Sequence, residues 1–171
     1  MMVAMQLVQP SIDWEASFEQ ALAEFDQDQI SGFWNFRQPI LSVQEYIERT
    51  ERNTKGEGLP FDMVPSSTFW LIDNDQFVAH VNIRHHLTPR LTLLGGHIGY
   101  AVRPSMHGKG YGSKLLELAL PKAKGLSIAQ ALITCDPPNV ASRKIIEKNG
   151  GVLRDEIVVD GRPILRFNIS L

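Results

Sequence analysis

Apolar positions along the 171-residue chain change period twice, and each change marks a different kind of element. Residues 3–8 form a short apolar run that reads as a first strand, after which Trp14, Phe18, Ala21, Leu22 and Phe25 recur at helical spacing. Ser11 or Asp13 is placed to cap that helix. Ser42 and Glu45 form a capping box before a second helix, with Val43, Tyr46 and Ile47 facing inward and Gly56 beyond its end. A Gly-, Pro- and Ser-rich loop over 56–67 follows, and the period then shortens to two. Thr68–Ile72 and Phe77–Ile83 read as strands turned at Asp73, Asn74 and Asp75. A polar connection over 84–89 leads to a bend at Gly95 and Gly96 and to a buried strand, Ile98–Val102, which Pro104 stops.

Helical spacing then returns. Ser113 is expected to open a helix that buries Leu115, Leu116, Ala119, Leu120 and Ala123, with Pro121 expected to kink or shorten it. A strand over 129–135 and a helix ending in glycine come next, and strands over 151–159 and 164–169 flank Asp160 and Gly161, a strong hairpin signal. Helices, an antiparallel meander, a strand-helix-strand-helix unit and a hairpin together predict a single α/β (α+β) domain with a mixed sheet.

Length agrees with one hydrophobic core. A net charge of −2 leaves no global basic field to hold nucleic acid or an anionic membrane, so any anion site is local. No stretch approaches a membrane span, and a single cysteine, Cys135, forms no internal disulfide; a cytoplasmic protein is expected.

The candidate chemistry lies in the turn between the 98–102 strand and the helix after it. His107-Gly108-Lys109-Gly110-Tyr111-Gly112 carries glycine at alternate positions, which frees the backbone to take positive φ and to approach a ligand closely. The helix start adds unpaired N–H groups and a positive dipole end, a natural phosphate site. No window supplies the P-loop pattern, and the dinucleotide fingerprint fails because its last glycine would fall on Ser113 or Leu115. A dinucleotide-binding enzyme survives only as a remote alternative, with Asp136 as its ribose acid.

Pro104, then His107-x-x-Gly110-x-Gly112, resembles the Gln/Arg-x-x-Gly-x-Gly/Ala signature of the GNAT superfamily of acetyl-CoA-dependent acyltransferases. Residues 131–151, ALITCDPPNVASRKIIEKNGG, resemble that superfamily's next strand, asparagine and helix, and GGHIGYAVRPS is similar to a subgroup of uncharacterised bacterial members. The resemblance implies a sheet splayed at its centre and flanked by helices, with residues 1–60 on the acceptor side and 97–151 as the cofactor-binding core of one domain spanning 1–171. It implies acetyl-CoA as acyl donor, a primary amine on a small molecule or peptide as acceptor, and direct transfer. It further implies that His107, Gly108, Lys109, Gly110, Tyr111, Gly112 and Ser113 cradle the pyrophosphate. Tyr100, Ala101 and Val102 would offer backbone groups to the pantetheine arm, and Asn139, with Ser142 nearby, would contact the cofactor. His97, at the start of the central strand, is the candidate base, and the aromatic segment 32–37 is either acceptor cleft or ordinary core.

Two departures stand out. His107 replaces glutamine or arginine, at little cost to an anion hold made of backbone. Ile146 stands where many members place the tyrosine that protonates the departing thiolate, leaving water, Ser142 or Tyr100 for that task. A CoA- or acyl-CoA-binding sensor of weak activity is therefore the second reading. His85 and His86, adjacent on the chain, have no companion cluster, so no metal site is expected. Cys135 reads as a small buried hydrophobe. A homodimer is a further possibility, since the C-terminal hairpin could serve as an exposed edge or as an interface.

Overall fold

The computed structural model describes residues 5–27 and 42–171; the aromatic segment 32–37 lies outside them. Strands β1 (Gln6–Val8), β2 (Ser66–Asp73), β3 (Gln76–Arg84) and β4 (Ile98–Val102) form one antiparallel sheet in the order β1-β2-β3-β4. Strands β5 (Gln130–Cys135), β6 (Val152–Val159) and β7 (Arg162–Ser170) form a second, in the order β5-β7-β6. Helices α1 (Glu15–Gln27) and α2 (Val43–Lys55) precede the meander, α3 (Pro89–Leu93) lies between β3 and β4, α4 (Tyr111–Gly125) joins β4 to β5, and α5 (Val140–Lys148) joins β5 to β6.

Several local expectations hold. Ser42 Oγ accepts from Glu45 N–H, and Gly56 ends α2 in the left-handed conformation. Asn74 and Asp75 both take positive φ at the β2–β3 turn, as do Asp160 and Gly161 at the last hairpin. Helix α4 starts two residues earlier than expected and runs through Pro121 to Gly125. Pro121 lies on the exposed face, so the Glu117 carbonyl it leaves without an N–H partner can meet water. The connection read as polar loop contains α3, capped by Thr88 with Pro89 at its first position.

Alternation sorts the first sheet into two unlike faces. Phe69, Val81 and Tyr100 form one cross-strand row, and Leu71, Ala79 and Val102 another. They pack with Leu115, Leu116 and Ala119 of α4 in the main core. Rows on the opposite face run Trp70–His80–Ala101 and Thr68–Asn82–Gly99. Its aromatic end is covered by α1 and α2, where Phe18 stacks on Trp70 at 4.3 Å and Tyr46 lies 5.1 Å from Phe18. Its other end is polar: Asn82 Nδ2 donates to Ser66 Oγ at 3.0 Å and to Thr68 Oγ1 at 3.1 Å.

The two sheets barely join. Among the described residues the only ladder-type pairing between them is an isolated bridge, Gly96 to Ile133, reinforced by His97 N–H donating to the Leu132 carbonyl at 2.7 Å, by Leu132 N–H donating back to the His97 ring and by Gly95 N–H donating to Thr134 Oγ1 at 3.1 Å. Every ladder is antiparallel, so the expected parallel pairing of the central strands does not form. Past the bridge, β4 and β5 part. Gly96 has positive φ, and a Cβ there would collide with the Leu132 carbonyl, which explains why the bend that seats the bridge carries glycine.

Candidate functional site: a wedge between two sheets

The wedge is bounded on one side by β4, on the other by β5, and ends at the glycine-rich turn and the first turn of α5. Backbone parity decides what β4 offers to it. Arg103 N–H donates to the Val78 carbonyl and Arg84 N–H to the His97 carbonyl, which puts the odd-numbered residues of β4 in hydrogen-bonded pairs with β3. Tyr100 and Val102 therefore turn their N–H groups toward the wedge. Ala101 does not, because its backbone groups face His80. The Val102 carbonyl is also taken, since His107 Nε2 donates to it at 2.9 Å. His107 thus folds back on the strand end, a role its sequence position did not reveal.

At the turn, Gly108 and Gly110 have φ of 75° and 85°, and a Cβ built on either would meet nothing within 4 Å. Among the described residues nothing crowds this left-handed backbone, so these glycines serve no packing contact and leave room for a ligand. Gly110 is the N-cap of α4 and supplies no side-chain cap, so the N–H groups of Tyr111, Gly112 and Ser113 keep their capacity for an anion. Gly112 has a different reason to be glycine: a Cβ there would come within 2.5 Å of Ile145 Cδ1, so it lets α5 lie against α4. Tyr111 Oη donates to Asp73 Oδ2 at 2.6 Å and pins the start of α4 to the β2–β3 turn, a bond that raises the phenol's pKa. Lys109 is exposed, its Nζ 3.5 Å from Met106 Sδ.

Glu24 of α1 secures the same corner. Its carboxylate accepts from Arg103 Nε and Nη2, both at 2.7 Å, and from Ser105 N–H at 3.0 Å. Burial would raise this carboxyl, but the Arg103 and Ser105 bonds outweigh it and hold the pKa at about 2. Sequence reading missed the clasp because its partners stand 79 residues apart and carry no spacing signal.

Across the wedge, Asn139 caps α5: its side-chain oxygen accepts from Ser142 N–H at 3.0 Å, which leaves its amide nitrogen to offer a ligand. Ser142 Oγ lies 2.9 Å from Tyr100 Oη. Asp136 is exposed and 3.4 Å from Arg162 Nη2, which is no setting for a ribose acid. Cys135 is buried at the end of β5, and burial foremost pushes its thiol up to about 11, so it is a core side chain and not a nucleophile.

His97 closes the other end. The Leu132 N–H donates to its Nδ1 at 2.9 Å, which fixes the neutral ring with its proton on Nε2. As placed, the ring has no unengaged lone pair with which to take a proton; it can donate through Nε2. Desolvation, then the Arg84 charge, lower its pKa and reinforce the neutral state. Arg84, also missed from sequence, holds the bend by donating from Nη1 to the carbonyls of Gly95 at 3.3 Å and Gly96 at 2.9 Å. His85 is engaged with Ser67, Nε2 to Oγ at 2.8 Å, and among the described residues no group of three His, Cys, Asp or Glu side chains could hold a metal. No helix of the described residues is long and apolar enough to cross a membrane.

Beyond the polar face of the first sheet lies a cavity of about 260 Å³ lined by Gln9, Pro10, Thr50, Glu51, Thr54, Lys55 and Thr68. Gly99 lies two cross-strand steps from Thr68 through Asn82, and a Cβ on Gly99 would meet nothing within 4 Å. Among the described residues, none crowds the face opposite the main core beside Gly99.

Solved structures share this fold. A microcin C7 self-immunity acetyltransferase, MccE, in complex with acetyl-CoA and AMP superposes with a TM-score of 0.71 at 14% identity, over 98% of this chain and 92% of its own. RimL, a ribosomal L7/L12 α-N-protein acetyltransferase in complex with coenzyme A, gives 0.69 at 14% identity, over 100% and 98%. A Salmonella typhimurium acetyltransferase that modifies the N-terminal serine of ribosomal protein L7/L12 gives 0.68 at 14% identity, over 99% and 96%. At such identities the likeness establishes the fold. A search of curated proteins finds no match. The sequence itself matches the acetyltransferase (GNAT) domain model over residues 7–152, which takes in the wedge, the glycine turn and both flanking helices, and the chain belongs to that family of acetyltransferases.

Proposed function

We propose that this acetyltransferase moves an acetyl group from acetyl-CoA directly to a primary amine, with the donor in the β4–β5 wedge and the acceptor entering over the polar face beside Gly99. The carrying observation is the gap itself: two sheets joined at one end, where Gly95 to His97 meet Leu132 to Thr134, with open glycine backbone and an uncapped helix start at its wide end. The pyrophosphate would rest on the N–H groups of Gly108 through Ser113, with Lys109 adding charge. The N–H groups of Tyr100 and Val102 would pair with the pantetheine arm as an added strand does, and Asn139 Nδ2 and Ser142 would line the opposite wall. The bound donor supplies an activated acetyl thioester.

His97 would act by donating from Nε2 to the acceptor or to a water that holds it. A free amine has a pKa near ~10 and so is mostly protonated at neutral pH. Because the His97 lone pair is engaged, the proton leaves through water or before the amine docks. The acceptor class is open to experiment. An amine panel comprising polyamines, amino acids and a peptide with N-terminal serine, assayed by CoA release, should show acetyl-CoA consumption that depends on one of these amines. Cofactor binding with no amine-dependent release would overturn direct transfer to an amine.

A further inference from the structure

Ile146 fills the position of the family's usual proton donor, and its surroundings explain why it is inert. The side chain is fully buried in the main core, packed against Gly151 at the end of α5. No hydroxyl reaches the wedge from there. One does reach it from the facing strand. Tyr100 shares its face with Ile98 and Val102, turns its N–H toward the wedge, and extends its ring until Oη meets Ser142 Oγ at 2.9 Å and the Ser142 carbonyl at 3.4 Å. Ser142 belongs to the first turn of α5, the element that follows β5, so the Tyr100 hydroxyl ties β4 to the element beyond the gap.

Building on the transferase reading above, we propose that Tyr100 is the general acid, its hydroxyl protonating the departing CoA sulfur, with the Ser142 hydroxyl resupplying the proton. The amine nitrogen forms a bond to the acetyl carbon, the carbon–sulfur bond breaks, and its electron pair goes to sulfur. The Tyr100 O–H proton moves to that sulfur. The Ser142 O–H proton moves to the phenol oxygen, and Ser142, only partly buried, recovers one from water. The proton lost by the amine reaches solvent, so charge balances over the cycle.

Placement supports each transfer. The Ser142 N–H is fixed by Asn139, which orients the hydroxyl partner of Tyr100. Burial, the largest influence on Tyr100, raises its pKa, so the phenol is protonated throughout the working range and avoids lingering as phenolate. A phenol so weakly acidic gives up its proton only as negative charge builds on the sulfur, and the Ser142 hydroxyl, 2.9 Å from Oη, is placed to relay a proton back to it. A CoA thiolate is a fair leaving group, so the contribution belongs at the low end of general acid catalysis, about 10- to 100-fold in kcat.

The test needs no knowledge of the acceptor. Isothermal titration of the wild-type protein with CoA and with desulfo-CoA should show about threefold to tenfold tighter binding of the thiol, the value of one hydrogen bond, and Tyr100→Phe should bind both alike. With hydroxylamine as a nucleophile already neutral at pH 7, Tyr100→Phe should lose about 10- to 100-fold in kcat with acetyl-CoA at nearly unchanged KM, and Ser142→Ala a smaller factor. Equal wild-type affinity for the two ligands would overturn the role of Tyr100 while leaving the cofactor site standing, and that comparison requires no variant to fold. A Tyr100→Phe protein that keeps both the thiol preference and the rate would overturn it as well. Binding of neither ligand would remove the acetyl-CoA reading and this inference with it.

Discussion

Gly110 and Gly112 stand two residues apart in one motif, yet different forces select them. At Gly110 the backbone is left-handed and the space above it is open, so a side chain there would face the anion. Gly110→Asp should weaken acetyl-CoA binding at least about tenfold through like charge against the pyrophosphate, by titration calorimetry; unchanged affinity would put the phosphates elsewhere. His97 makes a different prediction. His97→Ala strips the buried Leu132 N–H of its partner, so the protein should lose about 1–3 kcal/mol of stability. Its kcat/KM profile should lose no histidine-like limb, because the ring is neutral and proton-donating in the wild type. A wild-type limb near pH 6–7 that vanishes in the variant would show that His97 works as a base after all. Sequence could place His97 at the mouth of the site but not choose its role, because tautomer is set by a backbone group 35 residues away.

At the scale of elements, local chemistry carried its signal well and long-range pairing did not. Capping at Ser42, the turn at Asp73–Asp75 and the Asp160–Gly161 hairpin were legible because the deciding atoms are within a few residues. Helix α3 was hidden in a five-residue stretch too short for periodicity, and the backbone parity of β4 appears only once β3 is paired with it. The packing of α5 on α4 is testable through Gly112→Ala, whose methyl would press on Ile145; a loss of about 1–3 kcal/mol in denaturant unfolding is expected. The Glu24 clasp between α1 and the turn after β4 should show in pH dependence. Its folded pKa, about 2, lies below the ordinary value of 4.5, so its stabilisation is present above about pH 4.5 and fades as pH falls toward 2. Glu24→Gln should cost about 2 kcal/mol at pH 7, by leaving the largely buried Arg103 with weaker bonds, and should flatten that acid limb in thermal melts. Equal loss at pH 7 and pH 3 would contradict the clasp.

For the whole molecule, the decisive feature is that one chain makes two sheets and leaves a gap where they almost meet. The alternating and helical patterns predicted the elements and their order. That the central strands would part was implied by family resemblance alone, because separation depends on Gly96 seating a single bridge and on Arg84 holding the bend. The same gap underlies the claim that the protein takes acetyl-CoA and not a dinucleotide, for which neither the antiparallel ladders nor the ion-paired Asp136 provide a site. Thermal unfolding with acetyl-CoA, and in parallel with NAD, tests this most directly. At 100 times its Kd a ligand adds about 2.7 kcal/mol, which for a chain of this size raises Tm by roughly 5–10 °C. The structure predicts that rise with acetyl-CoA and none with NAD; a rise with NAD alone, or with neither, would contradict it.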